Sequence, residues 1–209
     1  MKKFLLIDDH FVVRSGVKGF LAELYKPCEI YEAADSAKAI TLLKQRSYDL
    51  VMMDVQIPQN DMLGLMEYIH IRYPDVKVLM FSMSPENIYA KRFLKAGAKG
   101  FLSKDSTFEE TIKAINLVLA NRKYISETLA ERLAEDSMAD NPNNPFDKLS
   151  AREFEIASML LNGQSLSEIA RSLNLQPSTV GTHKAKLFKK MNVANVLQLK
   201  EMASIYIKQ

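Results

Sequence analysis

Five short apolar runs, at residues 3–7, 28–33, 49–53, 76–81 and 99–102, recur along the first part of the chain, with stretches of helical spacing between them. Val13, Val17, Phe20, Leu21 and Leu24 follow the i, i+4, i+7 pattern, and Phe108, Thr111, Ile112, Ile115 and Leu119 repeat it after the fifth run. Strands that alternate with helices imply a parallel sheet. Runs such as KVLMF and LVMMD are near-continuously apolar, which is what a strand covered on both faces requires. The pattern predicts an α/β fold, a (βα)5 doubly wound parallel sheet, and in such open sheets ligands bind beyond the carboxyl ends of the strands.

The alternation stops near residue 121. NRKYISETLAERLAEDSMAD is a polar connector with a short helix predicted from Ser126, and DNPNNPFDK carries the Asn, Pro and Asp of a loop, so flexibility is placed near 137–147. From Leu149 only helical segments follow, with turn signals at Asn162-Gly163, Asn174 and Asn192. The 209 residues therefore divide into a first domain at 1–121, a linker at 122–147 and a smaller all-α domain at 148–209. Net charge is +3, but it is unevenly spread: 18 basic and 15 acidic residues in 1–125, 1 and 6 in 126–147, 9 and 4 in 148–209. A basic C-terminal section behind an acidic connector points to a polyanion partner. The lone Cys28 can form no internal disulfide and is expected to be a buried structural thiol. The apolar run in MKKFLLIDD is too short for a signal peptide, and no run approaches a membrane span, so a cytoplasmic protein with no membrane partner is expected.

Asp8 and Asp9 end the first strand, and Asp54 ends the third. With strand order 2-1-3-4-5 those strands are neighbours, so three carboxylates converge at one sheet edge. Such a cluster is unfavourable without a cation, and carboxylates with room for water suit Mg²⁺. Ser82 ends the fourth strand and Lys104 follows the fifth. A hydroxyl and an ammonium facing a metal-bound carboxylate can, with Mg²⁺, hold the three oxygens of a phosphoryl group on Asp54.

IDDH, Asp54-Val-Gln-Ile-Pro58, Ser82 and the run from Gly97 to Lys104 resemble the receiver domain of two-component response regulators, a flavodoxin-like fold, across roughly residues 1–120. The resemblance implies that Asp8, Asp9 and the Gln56 backbone carbonyl bind Mg²⁺ with Asp54, that Asp54 is the phosphoacceptor, and that Ser82 and Lys104 contact the phosphoryl group. Phe101 stands where the family has a switch aromatic, a role open beside that of an ordinary core residue. His10, as in many NarL/FixJ-type members, is assigned a structural role. Two positions depart from the pattern. The glycine after Pro58 comes at Gly64, so PQNDMLG is two residues longer than usual. Met83 replaces a small residue, and its bulk is expected to hinder water attack and lengthen the phosphorylated lifetime.

Past the linker, Ser150 with Glu153 is a capping-box pattern, and Phe154, Ala157, Leu160 and Leu161 form the first helix's stripe. Ser165 starts a second helix with Ile169, Ala170 and Leu173 inward. Ser178 lies at the start of a third, with Val180, Leu187 and Met191 inward and Thr182, Lys184, Lys186, Lys189 and Lys190 outward. A basic helix after a short helix and turn can enter a major groove, with lysines on phosphates and polar side chains on base edges. LSAREFEIA, SEIARSLN and STVGTHKAK resemble the LuxR-type DNA-binding domain, with Gly181, Ala185 and Val196 departing from it. The expected DNA-binding set is Ser178, Thr179, Thr182, His183, Lys184, Lys186 and Lys189. Leu199, Met202, Ala203 and Tyr206 form either core or a dimer face.

Together these features imply a DNA-binding response regulator. The resemblance implies that a histidine kinase phosphorylates it on Asp54 with Mg²⁺ and that phosphorylation controls homodimerisation and binding to double-stranded DNA, and no activity beyond self-phosphotransfer and slow self-dephosphorylation is expected. Two other readings stay open. One is a regulator whose receiver is a phosphorylation-independent interaction module. The other is a Mg²⁺-dependent phosphatase, although there the two acids usually lie two apart on one strand, whereas Asp8 and Asp9 are adjacent.

Overall fold

Ile7 and its neighbours set the frame. The computed structural model describes residues 1–138 and 144–207, and in it β1 (Lys2–Ile7) lies between β2 (Cys28–Ala33) and β3 (Leu50–Met53). β4 (Lys77–Ser82) and β5 (Gly100–Ser103) complete a five-stranded, all-parallel sheet in the order β2-β1-β3-β4-β5. Helices α1 (Phe11–Leu24), α2 (Ser36–Gln45), α3 (Met62–Arg72), α4 (Glu86–Lys95) and α5 (Phe108–Leu119) follow the strands in turn. This is the expected (βα)5 architecture.

Side chains alternate across each strand. Phe4, Leu6, Leu50, Met52, Leu79 and Leu102 therefore share one face, where they pack with Leu21 of α1 and Ala114, Ile115 and Val118 of α5. The intervening residues, such as Leu5, Val51 and Met80, are equally buried. Each fully buried Leu or Phe contributes about 1.5–3 kcal/mol, so the central strands tolerate no polar residue until they end. Leu24 and Phe108 are exposed rather than core. They are terminal residues of α1 and α5, and Phe108 covers its ring only in part, edge-on against Phe20 at 4.8 Å. Cys28 is half-buried, not enclosed.

Chain contacts divide the molecule into two units, Met1–Ser126 and Glu127–Gln209. The first runs past α5 because Tyr124 pairs with β5. Its N–H donates to Lys99 O at 2.9 Å, its carbonyl accepts from Phe101 N at 3.2 Å, and it forms a parallel bridge with Gly100. A Cβ at Gly100 would lie 2.7 Å from Tyr124 O, so only glycine permits this approach.

In the second unit, α6 spans Glu127–Met138, one residue later than expected. The expected flexible segment falls partly on residues 139–143, which lie outside the described residues. Its end is ordered: Pro145–Lys148 form a 3₁₀ turn capped by Asn144, and Phe146 is fully buried. Four helices follow, α7 (Ala151–Leu161), α8 (Leu166–Ser172), α9 (Pro177–Met191) and α10 (Val196–Ile207). Ser150 with Glu153 and Ser165 with Glu168 form reciprocal capping boxes, satisfying amides that a helix start leaves unpaired. Gly163, Asn174 and Asn192 all take positive φ at the helix ends. Leu199 and Ala203 of α10 are buried, while Leu161 is only partly covered.

Glu153 is the one charged side chain buried in this unit among the described residues. Its carboxylate accepts from Ser150 N at 2.8 Å and from Lys190 Nζ at 2.6 Å. Burial pushes its pKa up, but the Lys190 and Ser150 bonds outweigh burial and hold it below the ordinary 4.5. Lys190 is itself half exposed, which screens the pair. Glu153→Gln is therefore expected to destabilise this unit by about 1–2 kcal/mol. A depressed folded-state pKa contributes stability above the unfolded value and loses it as pH falls through the folded one. Thermal melts of wild type and variant should differ most near neutrality and converge on acidification below pH 4.5.

Candidate functional site

Two backbone bonds place the acids. Asp8 N donates to Ala33 O at 3.1 Å and Asp54 N donates to Ile7 O at 2.8 Å, extending the strand pairing by one step. Asp8 and Asp54 therefore leave the sheet side by side at its carboxyl edge. On the other flank Lys104 N donates to Ser82 O at 3.0 Å, bringing Lys104 beside the end of β4.

The side chains converge as this frame requires. Lys104 Nζ lies 2.6 Å from Asp8 Oδ2 and 2.6 Å from Asp54 Oδ2, and all three side chains are 8% exposed or less. Ser82 Oγ donates to the other Asp54 oxygen, Oδ1, which also accepts from Gln56 N at 3.3 Å. Burial lowers the Lys104 pKa, but the bonds and charges of Asp54 and Asp8 reverse this and hold it above the ordinary lysine value. One ammonium thus meets two carboxylates, and a third, that of Asp9, belongs to the same acidic cluster. Asp9 is 29% exposed, yet its Oδ1 is buried without a hydrogen bond. His10 Nδ1 lies 3.0 Å from that oxygen, out of hydrogen-bonding alignment, and 3.2 Å from Asp8 Oδ1.

Asp8, Asp9, His10 and Asp54 each offer a ligand atom within 4.8 Å of the others. An orphaned carboxylate oxygen beside two more carboxylates is the donor set of a hard divalent cation. His10 was expected to be structural, and its backbone N–H does bond Asp8 Oδ1 at 2.8 Å, but its ring also stands at the mouth of the pocket. Phe101 is fully buried on β5.

The longer loop after Pro58 is tethered. Asn60 Oδ1 accepts from Ser36 N at 2.8 Å and from Ser36 Oγ at 2.6 Å, and Asn60 Nδ2 donates to Pro58 O at 2.8 Å. Gln59 takes a positive φ of 61° to make this turn. Asp61 then caps α3 by accepting from Gly64 N at 2.6 Å. A Cβ on Gly64 would come within 2.3 Å of that carboxylate, so glycine here leaves the Asp61 cap undisturbed. Met83 is 62% exposed in the turn after β4.

In the helical unit, Ser178, Thr182, Lys186 and Lys189 are exposed on one side of α9, with Thr179 and His183 half-buried at its edge. Val180, Leu187 and Met191 fill the opposite side. Two lysines differ from expectation. Lys184 is half-buried, its ammonium 5.2 Å from the centre of the Phe188 ring, and Lys190, although on the surface, has its ammonium on Glu153. Asn60, Tyr89 (below) and the Glu153–Lys190 pair were not found from sequence, since each joins residues distant along the chain.

The response regulator receiver domain matches residues 4–116, and the luxR family of bacterial regulatory proteins matches residues 147–203. The chain belongs to the response regulators, with a receiver domain followed by a LuxR-type DNA-binding domain, and it is a two-component transcriptional regulator. It is 33% identical over 204 residues to response regulator GacA of Pseudomonas syringae pv. syringae (strain B728a), covering 97% of this chain and 95% of that one. It is 31% identical to response regulator UvrY of Escherichia coli (strain K12), covering 97% and 94%. Its fold matches that of the RcsB response regulator of Salmonella typhimurium with a TM-score of 0.80, at 22% identity and covering 99% and 100% of the two chains. Among the described residues no helix is long and apolar enough to cross a membrane.

Proposed function

We propose that Asp54 is the phosphoacceptor of a cytoplasmic response regulator in which residues 1–121 receive the phosphoryl group, 122–147 connect, and 148–209 bind double-stranded DNA. The observation that carries this is the shared grip on Asp54, with Lys104 on one oxygen and Ser82 on the other. Asp54 attacks the phosphorus of a phosphohistidine on a sensor kinase. The P–N bond breaks, its electron pair stays with the imidazole, and the phosphoryl group ends on the Asp54 oxygen. Ser82 Oγ and Lys104 Nζ then transfer their bonds from the carboxylate to phosphoryl oxygens. Asp8, Asp9, Asp54 and the Gln56 carbonyl would hold Mg²⁺, which supplies the positive charge that three carboxylates and an incoming phosphate lack. Phe101 follows as the switch residue of β5, and the new charge biases the receiver surface toward homodimerisation.

On DNA, Ser178, Thr179, Thr182 and His183 near the start of α9 read base edges, while Lys184, Lys186 and Lys189 meet phosphates. The test is intact mass after incubation with Mg²⁺ and a small phosphodonor, which should show one phosphoryl group per chain. The same assay followed over time tests Met83. Met83→Ala is expected to shorten the phosphorylated half-life several-fold by opening a path for water, and an unchanged half-life removes Met83 from the mechanism.

A further inference from the structure

Gln56 touches the phosphoacceptor with its backbone and α4 with its side chain. Its N–H faces Asp54 Oδ1 at 3.3 Å, and its Nε2 donates to the Tyr89 hydroxyl at 2.6 Å. Tyr89 is buried on α4, three residues after Glu86, so the two side chains lie on one side of the helix. Glu86 Oε2 accepts from Ser126 Oγ at 2.6 Å. Ser126 immediately precedes α6 and follows the Tyr124 segment paired to β5. Polar contacts thus run from Asp54 through Gln56 to Tyr89, and one turn of α4 away Glu86 makes a second polar contact, at the start of the connector.

We propose that Tyr89 is a positioning residue for the phosphorylation site and that, with Glu86, it links that site to the connector at Tyr124–Ser126. The proposal rests on Asp54 being the phosphoacceptor. In this role Tyr89 acts through Gln56, whose carboxamide donates to its hydroxyl. When Ser82 and Lys104 leave the Asp54 carboxylate for a phosphoryl group, the Gln56 N–H must readjust to the changed Asp54 oxygen. Its carboxamide carries that adjustment to Tyr89, and α4 moves as a rigid turn with Glu86 on it. The connector is held on two sides, by β5 through Tyr124 and by α4 through Ser126, so a shift of α4 against β5 loads the Ser126 bond. Spatial continuity alone does not establish coupling, and a double-mutant cycle supplies the evidence.

Hydrogen exchange of the full-length protein measures it. Tyr89→Phe keeps the ring and removes the hydroxyl, and it should speed exchange in peptides covering both 54–58 and 122–127 by about two- to tenfold, the range one net hydrogen bond supports. Gln56→Leu should do the same, and the double variant should match either single one. A merely structural tyrosine would not give that non-additivity. Wild-type exchange rates in 122–127 for Tyr89→Phe, or additive effects, overturn the link. Intact mass on the same samples separates this from the reading beneath it. A wild-type chain that gains no phosphoryl group overturns the Asp54 role and the positioning role with it, whereas a phosphorylated chain with unaltered 122–127 exchange in Tyr89→Phe overturns the link alone.

Discussion

Asp54→Asn is expected to take up no phosphoryl group from a small phosphodonor and Mg²⁺, where the wild-type chain takes up one. The amide has the carboxylate's shape without its nucleophilic oxygen. It also lacks the charge that, with Asp8, draws Lys104 into the pocket at 2.6 Å. Folding should survive, because Asp54 N still bonds Ile7 O and Lys104 keeps Asp8 as a partner. Removing one of three clustered acids also relieves repulsion that only a cation otherwise offsets. Intact mass and a thermal melt on the same sample separate loss of chemistry from loss of fold. A phosphoryl group on Asp54→Asn would place the acceptor elsewhere.

The second large effect is expected on α9. Lys186 and Lys189 are exposed on the same side as Thr182. Replacing both with alanine should lower duplex affinity roughly 10- to 100-fold at moderate salt and reduce the slope of log K against log salt by about 2, near 0.9 per phosphate contact. The loss should be nearly uniform across sequences, because phosphate contacts carry no base information. Lys190→Ala should act differently. Its ammonium is engaged by Glu153, so its substitution registers first as lost stability. Fluorescence anisotropy over a salt series distinguishes the two.

Much of this was legible in the residues. The five strands emerged at nearly their true limits because a doubly covered strand must be apolar throughout, so KVLMF and LVMMD could be little else. Asp8, Asp54, Ser82 and Lys104 were legible because each sits where an apolar run stops, and strand order then decides which stops are neighbours. Contacts made by side chains across the fold were not. Asn60 looks like any loop asparagine until it meets Ser36, and Lys190 looks like one more surface lysine until the α7 cap turns out to be its partner. Tyr124 is a lone aromatic in a polar stretch. Its pairing with β5 depends on Gly100 having no Cβ, a condition set 24 residues earlier in the chain. Phe108 and Leu24 fitted the helical period but lie at helix ends, where period no longer guarantees cover.

The decisive measurement is the affinity of the full-length protein for one duplex, before and after phosphorylation in the same Mg²⁺ buffer, with occupancy of Asp54 verified by intact mass. Coupling between two sites ordinarily amounts to about 1–3 kcal/mol. A chain regulated through Asp54 should therefore bind roughly 5- to 150-fold more tightly once phosphorylated, and Asp54→Asn should stay at the lower affinity under both conditions. Equal affinity at full occupancy would contradict that and leave the receiver as an interaction module indifferent to phosphate.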